Sequence, residues 1–196
     1  GGGPAGNIFL TANTFLADDA SGISSSGSAT GPGGNISITA GQSVTLNSGS
    51  SFSANSTGSG NAGNISINSG NQFAMTNSSV TTQANQSSGG AIKITTNPNG
   101  TVQLTDSTIS ASVLDGTGGG GSVNIDPQFV ILQNSQILAQ AVQGPGGNVG
   151  ITITNGGLFL PDATSVVSAS SQFGQNGAVT IQAPIAPAGG KIQPPG

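Results

Sequence analysis

Gly33-Gly34-Asn35-Ile36-Ser37-Ile38-Thr39 returns as Ala62-Gly63-Asn64-Ile65-Ser66-Ile67-Asn68, then as Gly89-Gly90-Ala91-Ile92-Lys93-Ile94-Thr95. It recurs as Gly120-Gly121-Ser122-Val123-Asn124-Ile125-Asp126, Gly146-Gly147-Asn148-Val149-Gly150-Ile151-Thr152 and Asn176-Gly177-Ala178-Val179-Thr180-Ile181-Gln182. Ala5-Gly6-Asn7-Ile8-Phe9-Leu10 is the first copy. The leading apolar residue falls at 8, 36, 65, 92, 123, 149 and 179, a period of about 28–29 residues. Internal repeats of this length are the mark of stacked or solenoidal architectures.

Two further columns keep the same period. One runs through Phe15, Val44, Phe73, Val102, Val130 and Leu158, with an apolar partner two places on at Leu46, Met75, Leu104, Leu132 and Leu160. The other runs through Ile23, Phe52, Val80, Ile109, Ile137 and Val167, followed two places later by Ala54, Ala111, Ala139 and Ala169. Each segment alternates apolar and polar residues, as a strand with one buried face does. Gly, Asn and Ser clusters separate the segments, as turns require. The expected fold is all-β, a parallel β-helix (β-solenoid) with three short strands per coil and six to seven coils over residues 1–183. At about 4.8 Å per coil the rod is roughly 29 Å long. Residues 184–196, with prolines at 184, 187, 194 and 195, leave the pattern and read as a tail or linker.

The columns also predict how so polar a chain holds together. Each coil buries its few apolar side chains against its neighbours, so one core continues along the axis. Asn7, Asn35, Asn64 and Asn148 are placed to stack as an amide ladder. The glycines before them are expected to take up tight or left-handed backbone. Phe52, Phe73 and Phe129 lie in strand segments and are expected in the core.

Composition narrows the function. Charged residues are 4% of the chain, against about 25% in an ordinary domain. The net charge is −4, with two lysines and no Arg or His. Nucleic-acid binding requires a basic face, as does docking on anionic membranes, so neither is expected. No apolar run approaches the roughly 18–20 residues of a membrane span. There is no Cys, which excludes thiolate metal sites and disulfides. The uncharged Gly/Ser/Thr/Asn-rich surface points to a secreted protein. Gly1 to Ala5 lack the features of a signal peptide, so the chain reads as an internal or processed piece.

Candidate sites were weighed against the repeat. Asp19 and Asp106 share a column three coils apart, about 14 Å along the axis, beyond the roughly 5–9.5 Å of a glycosidase carboxylate pair. Asp18 and Asp19 are neighbours at a turn. No His, Arg or Glu is present to serve as base or clamp. Asp115 and Asp126 flank Gly116 to Gly121, but a calcium site needs six to eight oxygen ligands. That glycine run lacks the Lys-Ser/Thr and helix of a phosphate loop. The sequons at Asn55, Asn77 and Asn99 are what an Asn/Ser/Thr-rich chain produces by chance. An ice-binding face would need regular outward Thr columns, and Asn68, Asp126 and Gln182 interrupt Thr39, Thr95 and Thr152. No catalytic, metal or cofactor residue is therefore assigned, and the chain is expected not to be an enzyme.

Three blocks resemble a known family. They are Val130-Ile131-Leu132-Gln133-Asn134-Ser135-Gln136-Ile137-Leu138-Ala139 with Gly146-Gly147-Asn148, then Phe159-Leu160-Pro161 with Ser165-Val166-Val167-Ser168-Ala169-Ser170-Ser171-Gln172, and Gly177-Ala178-Val179-Thr180-Ile181-Gln182-Ala183-Pro184. Together they resemble the C-terminal β-helical region of filamentous haemagglutinin-like exoproteins of the two-partner secretion system. The resemblance implies a right-handed helix, export through an outer-membrane pore partner, and a place at the surface of a Gram-negative-type bacterium. It implies a structural or adhesive filament segment that contacts neighbouring coils or copies end to end. A module binding host or surface glycans through a polar face is the alternative, marked by an insertion or exposed aromatics.

Overall fold

A computed structural model describes residues 3–184 and 191–192. It is all-β, a solenoid of about six turns whose strands all pair in parallel. The first face holds Ile65–Asn68, Ala91–Thr95, Ser122–Asp126, Asn148–Thr152 and Ala178–Gln182. The second holds Gln72–Thr76, Thr101–Thr105, Phe129–Gln133 and Leu158–Pro161. In the first two coils both faces are spanned by single long strands, Ile8–Ala17 and Ile36–Leu46. These strands join the two faces into one 11-stranded sheet. The third face is a separate seven-stranded sheet of three-residue strands from Gly22–Ser24 to Val166–Ser168, ending on Lys191–Ile192. That last pair lies in the segment expected as a tail, the rest of which, beyond Pro184, is outside the described residues.

Register confirms the first and third columns residue for residue. Ile8, Ile36, Ile65, Ile92, Val123, Val149 and Val179 pair in succession. So do Ile23, Phe52, Val80, Ile109, Ile137 and Val167. The second column differs in its last member. Val130 pairs with Phe159 and Leu132 with Pro161, while Leu158 and Leu160 face outward beside Phe129 and Ile131. Phe129 is therefore on the outer surface and only half-buried, whereas Phe52 and Phe73 are fully buried. Leu158-Phe159-Leu160-Pro161 is apolar at every position, so alternation could not set its phase, and a one-residue shift exchanges the two faces.

The loop that returns from the third face to the first carries a further parallel column. Gly27, Ser56, Ala84 and Val113 bridge in succession, as do Ala141 and Ser171. Ala62, Ala84, Val113 and Ala141 form a small second core beneath it.

This return is closed by glycine. The amides of Gly63, Gly121, Gly147 and Gly177 donate to the carbonyls of Ala54, Ala111, Ala139 and Ala169 in the same coil at 2.6–2.8 Å. Gly90 makes the same bond to Thr82. A Cβ on Gly63, Gly90, Gly121, Gly147 or Gly177 would overlap the carbonyl oxygen of the glycine one coil earlier. Left-handed backbone is not the reason, because the positive-φ glycines are Gly49, Gly70, Gly116 and Gly156. The requirement here is close approach between coils.

Asn35 and Asn64 donate their backbone N–H to Asn7 Oδ1 and Asn35 Oδ1 at 2.8 and 3.0 Å. The ladder ends when Asn64 Oδ1 accepts from Ala91 N. Ala91 has no amide to pass on, so Asn148, expected in the ladder, stands apart from it.

Two predictions follow from this packing. Gly121→Ala should destabilise the fold by about 3 kcal/mol, the upper end of ordinary overpacking. Gly6→Ala, in the same column of the first coil with open space around it, should be near neutral; urea unfolding followed by circular dichroism compares the two. In the alanine column, Thr82 buries a hydroxyl with no hydrogen-bond partner. Thr82→Val should raise stability by about 1 kcal/mol, because it removes an unsatisfied group while keeping the shape.

Candidate functional site

The second corner, between the second and third faces, gathers much of the chain's polar chemistry. Ser48, Asn77, Asp106 and Asn134 each hold a left-handed backbone there, with φ of 47–56°. Asn and Asp tolerate that region better than other side-chain-bearing residues. The neighbouring Ser78, Ser107, Ser135 and Ser165 are buried and form a hydroxyl ladder. Ser107, Ser135 and Ser165 each accept from the backbone N–H of the serine one coil earlier at 3.0–3.1 Å. Ser78, Ser107 and Ser135 donate to the carbonyl two residues before them at 2.7–2.8 Å. Ser50, also in this column, finds no partner. Sequence reading missed this ladder because serine in a turn reads simply as a turn former; its signal was the recurring Asn/Asp-Ser pair.

Asp19 and Asp106 do share this column, with Ser48 and Asn77 in the coils between them. Above Asp106, Asn134 donates its side-chain amide to Asp106 Oδ1 at 2.7 Å and its backbone N–H to Asp162 Oδ2 at 3.0 Å. The acids therefore stand in different coils, bridged by an amide. Asp162 also accepts from Ser165 Oγ at 2.7 Å, Ser165 N at 2.8 Å and the Thr164 hydroxyl. The Ser165 hydroxyl, aided by the Asn134 and Thr164 donors against a partial desolvation, holds its carboxyl down at about 2. Asp18 is lowered by the Ser48 hydroxyl and the Asp19 N–H.

Asp115 and Asp126 do not converge. Asp126 ends a first-face strand beside Thr95, and Asp115 sits on the return loop near the Gln143 amide. Among the described residues no group of three or more His, Cys, Asp or Glu is placed to hold a metal ion. Of the sequon asparagines, Asn55 accepts from Gln83 N at 2.7 Å, Asn77 occupies the left-handed corner, and Asn99 is exposed. Among the described residues no helix is long and apolar enough to cross a membrane.

Besides Phe9 and Leu16, exposed on the first coil, two surface features depart from a plain polar rod. On the return loop a hollow of ≈ 280 Å³ spans three coils, lined by Ser112, Leu114, Gln140, Val142, Ser170 and Gln172 among others. Gln140 lines it and donates to Ser168 Oγ and Ser170 Oγ at 3.1 Å. Leu114 and Phe173 are exposed nearby, Phe173 to 75%. On the second face, the outward positions change character along the axis. After the exposed Leu16 of the first coil, Thr45, Gln72, Ala74, Thr101 and Gln103 give way to Phe129, Ile131, Leu158 and Leu160. Strands apolar on both faces ordinarily have both faces covered. Sequence reading placed Phe129, Leu158 and Leu160 in the core and so missed the outer patch.

No family model, curated protein or solved structure matches the chain.

The Asp162 clasp makes a pH prediction. Its folded pKa lies below the unfolded value, so its contribution is complete above pH 3.8 and is lost as pH falls toward about 2. Asp162→Asn should therefore lower the urea midpoint above pH 3.8 and match the parent near pH 2. A gap between the two proteins that stays constant down to the lower pH would show that the clasp does not titrate.

Proposed function

We propose that this chain is a structural and adhesive segment of a secreted bacterial surface filament, acting through length, stiffness and side-chain display without catalysis. The observation that carries this reading is the unbroken parallel register of the first column from Ile8 to Val179. Among the described residues no insertion breaks that register. A rod whose columns repeat at every coil extends by adding coils along the axis, within one longer chain or between copies. Resemblance to the haemagglutinin-like exoproteins supports export through an outer-membrane pore partner. A cysteine-free, weakly charged chain suits that passage and the extracellular side.

The loop hollow favours a second reading, a module that binds surface glycans. Carboxamide and hydroxyl groups at three successive coils, with Leu114 and Phe173 beside them, offer hydrogen bonds next to apolar surface, as small-molecule sites do.

Electron microscopy and fibre diffraction of native material test the first reading. Rods much longer than about 29 Å with a layer spacing near 4.8 Å are expected. Discrete particles one segment long would overturn it. Binding to a glycan array that is lost in Phe173→Ala and Gln140→Ala, with the fold retained, would establish the second.

A further inference from the structure

Three Asn-Gly pairs occur in the chain, at Asn99-Gly100, Asn155-Gly156 and Asn176-Gly177. Such a pair can react with itself: the glycine nitrogen, after losing its proton to water or hydroxide, attacks Cγ of the preceding asparagine. The new N–Cγ bond closes a five-membered succinimide as the Cγ–Nδ2 bond breaks and ammonia leaves. Water then opens the ring. Attack at Cγ gives aspartate, and attack at the main-chain carbonyl gives isoaspartate. No oxidant, reductant or enzyme is needed, only solvent and a glycine nitrogen free to move.

The fold sorts the three pairs. Gly100 is buried and its N–H donates to Asn97 O at 2.8 Å. Gly177 N–H donates to Ala169 O at 2.8 Å, and its Cα is pressed against the Gly147 carbonyl. Each would have to break a closing bond of the solenoid before its nitrogen could turn. Asn155 and Gly156 are both exposed, in left-handed backbone with φ of 51° and 69°. Gly156 has nothing within 4 Å of where a Cβ would stand. The turn is closed instead by the next residue, Gly157 N to Thr154 O at 3.0 Å, which leaves the Gly156 N–H unengaged. The tethers on Asn155 are solvent-exposed: its Nδ2 donates to Pro98 O at 2.8 Å and its carbonyl accepts from Gln128 Nε2 at 3.0 Å.

We propose that Asn155-Gly156 is a site of spontaneous deamidation in the folded protein, while the other two Asn-Gly pairs are protected by the solenoid. The aspartate product adds a carboxylate to a corner now held by amides. The isoaspartate product inserts an extra backbone carbon between Asn148–Thr152 and Leu158–Pro161. That strains the register that brings Phe159 into the core. The inference is independent of what the filament binds.

The test is peptide mapping by mass spectrometry of the native chain held at mildly alkaline pH, with a urea-unfolded sample alongside. In the folded protein the peptide carrying Asn155 should gain the one-dalton shift at least about tenfold faster than those carrying Asn99 or Asn176, the factor that about 1.4 kcal/mol of local opening imposes. In urea the three should convert at similar rates. Asn155→Gln should silence that peptide and leave the other two unchanged. Equal rates at the three sites in the folded chain would overturn the proposal. So would an Asn155 that stays intact while the unfolded sample converts.

Discussion

One contact decides how these coils stack. At the end of each return loop a glycine amide donates to the small-residue column eight to ten positions earlier, while its Cα lies against the carbonyl of the glycine in the preceding coil. A side chain there would push two coils apart at the corner where the third sheet feeds the first. Because strands in a parallel ladder must keep about 4.8 Å along their whole length, a gap at that corner would propagate into every strand of the coil. The columns of alanine and glycine are thus the two halves of one joint. The apolar residues of the three faces fill a core whose cross-section that joint has already set.

The same geometry explains how a chain with so few apolar and charged residues satisfies its backbone. Turn residues in a globular protein can leave polar groups to water. In a solenoid each turn has another turn above and below it, so its polar groups meet the same groups one coil away. The asparagine ladder at Asn7, Asn35 and Asn64 and the serine ladder at Ser78, Ser107, Ser135 and Ser165 use that repetition. Each coil supplies the acceptor for the donor of the coil beside it. Polar residues at the corners therefore add order along the axis, and buried exceptions such as Ser50 and Thr82 stand out as unpartnered.

Much of this was legible in the residues. Ile36 and Ile38, or Val123 and Ile125, alternate cleanly with polar neighbours, and their columns pair as the period predicts. Legibility failed where alternation failed. Leu158-Phe159-Leu160-Pro161 carries no polar residue to mark its outer side, and Phe129-Val130-Ile131-Leu132 has the same defect, so Phe129, Leu158 and Leu160 were mistaken for core. The return-loop column through Ser56, Ala84 and Val113 was invisible for a different reason. It is built from single-residue bridges and small side chains, below the length at which periodicity speaks. The glycine column was seen but its cause misjudged, because a sequence records where side chains are absent and not whether conformation or proximity forbids them. The hollow at Gln140 was hidden for want of any local signal, since its walls come from three coils.

The departures from uniformity are what the repeat alone does not explain. A rod needs only its columns, and a chain selected for rigidity alone would keep outward positions polar to the last coil. Here the outer second face carries Phe129, Ile131, Leu158 and Leu160, and the return loop presents Leu114 and Phe173 at or beside the hollow that Gln140 lines. Both features fall in the same two or three coils, and neither contributes to the inner core. Apolar groups left in water cost solubility without adding to the stack, and the first coil carries its own at Phe9 and Leu16, 75% and 61% exposed. Exposed apolar side chains therefore stand in the first coil, at Phe9 and Leu16, as well as in the later coils at Leu114 and Phe173, and the core of the stack accounts for neither group.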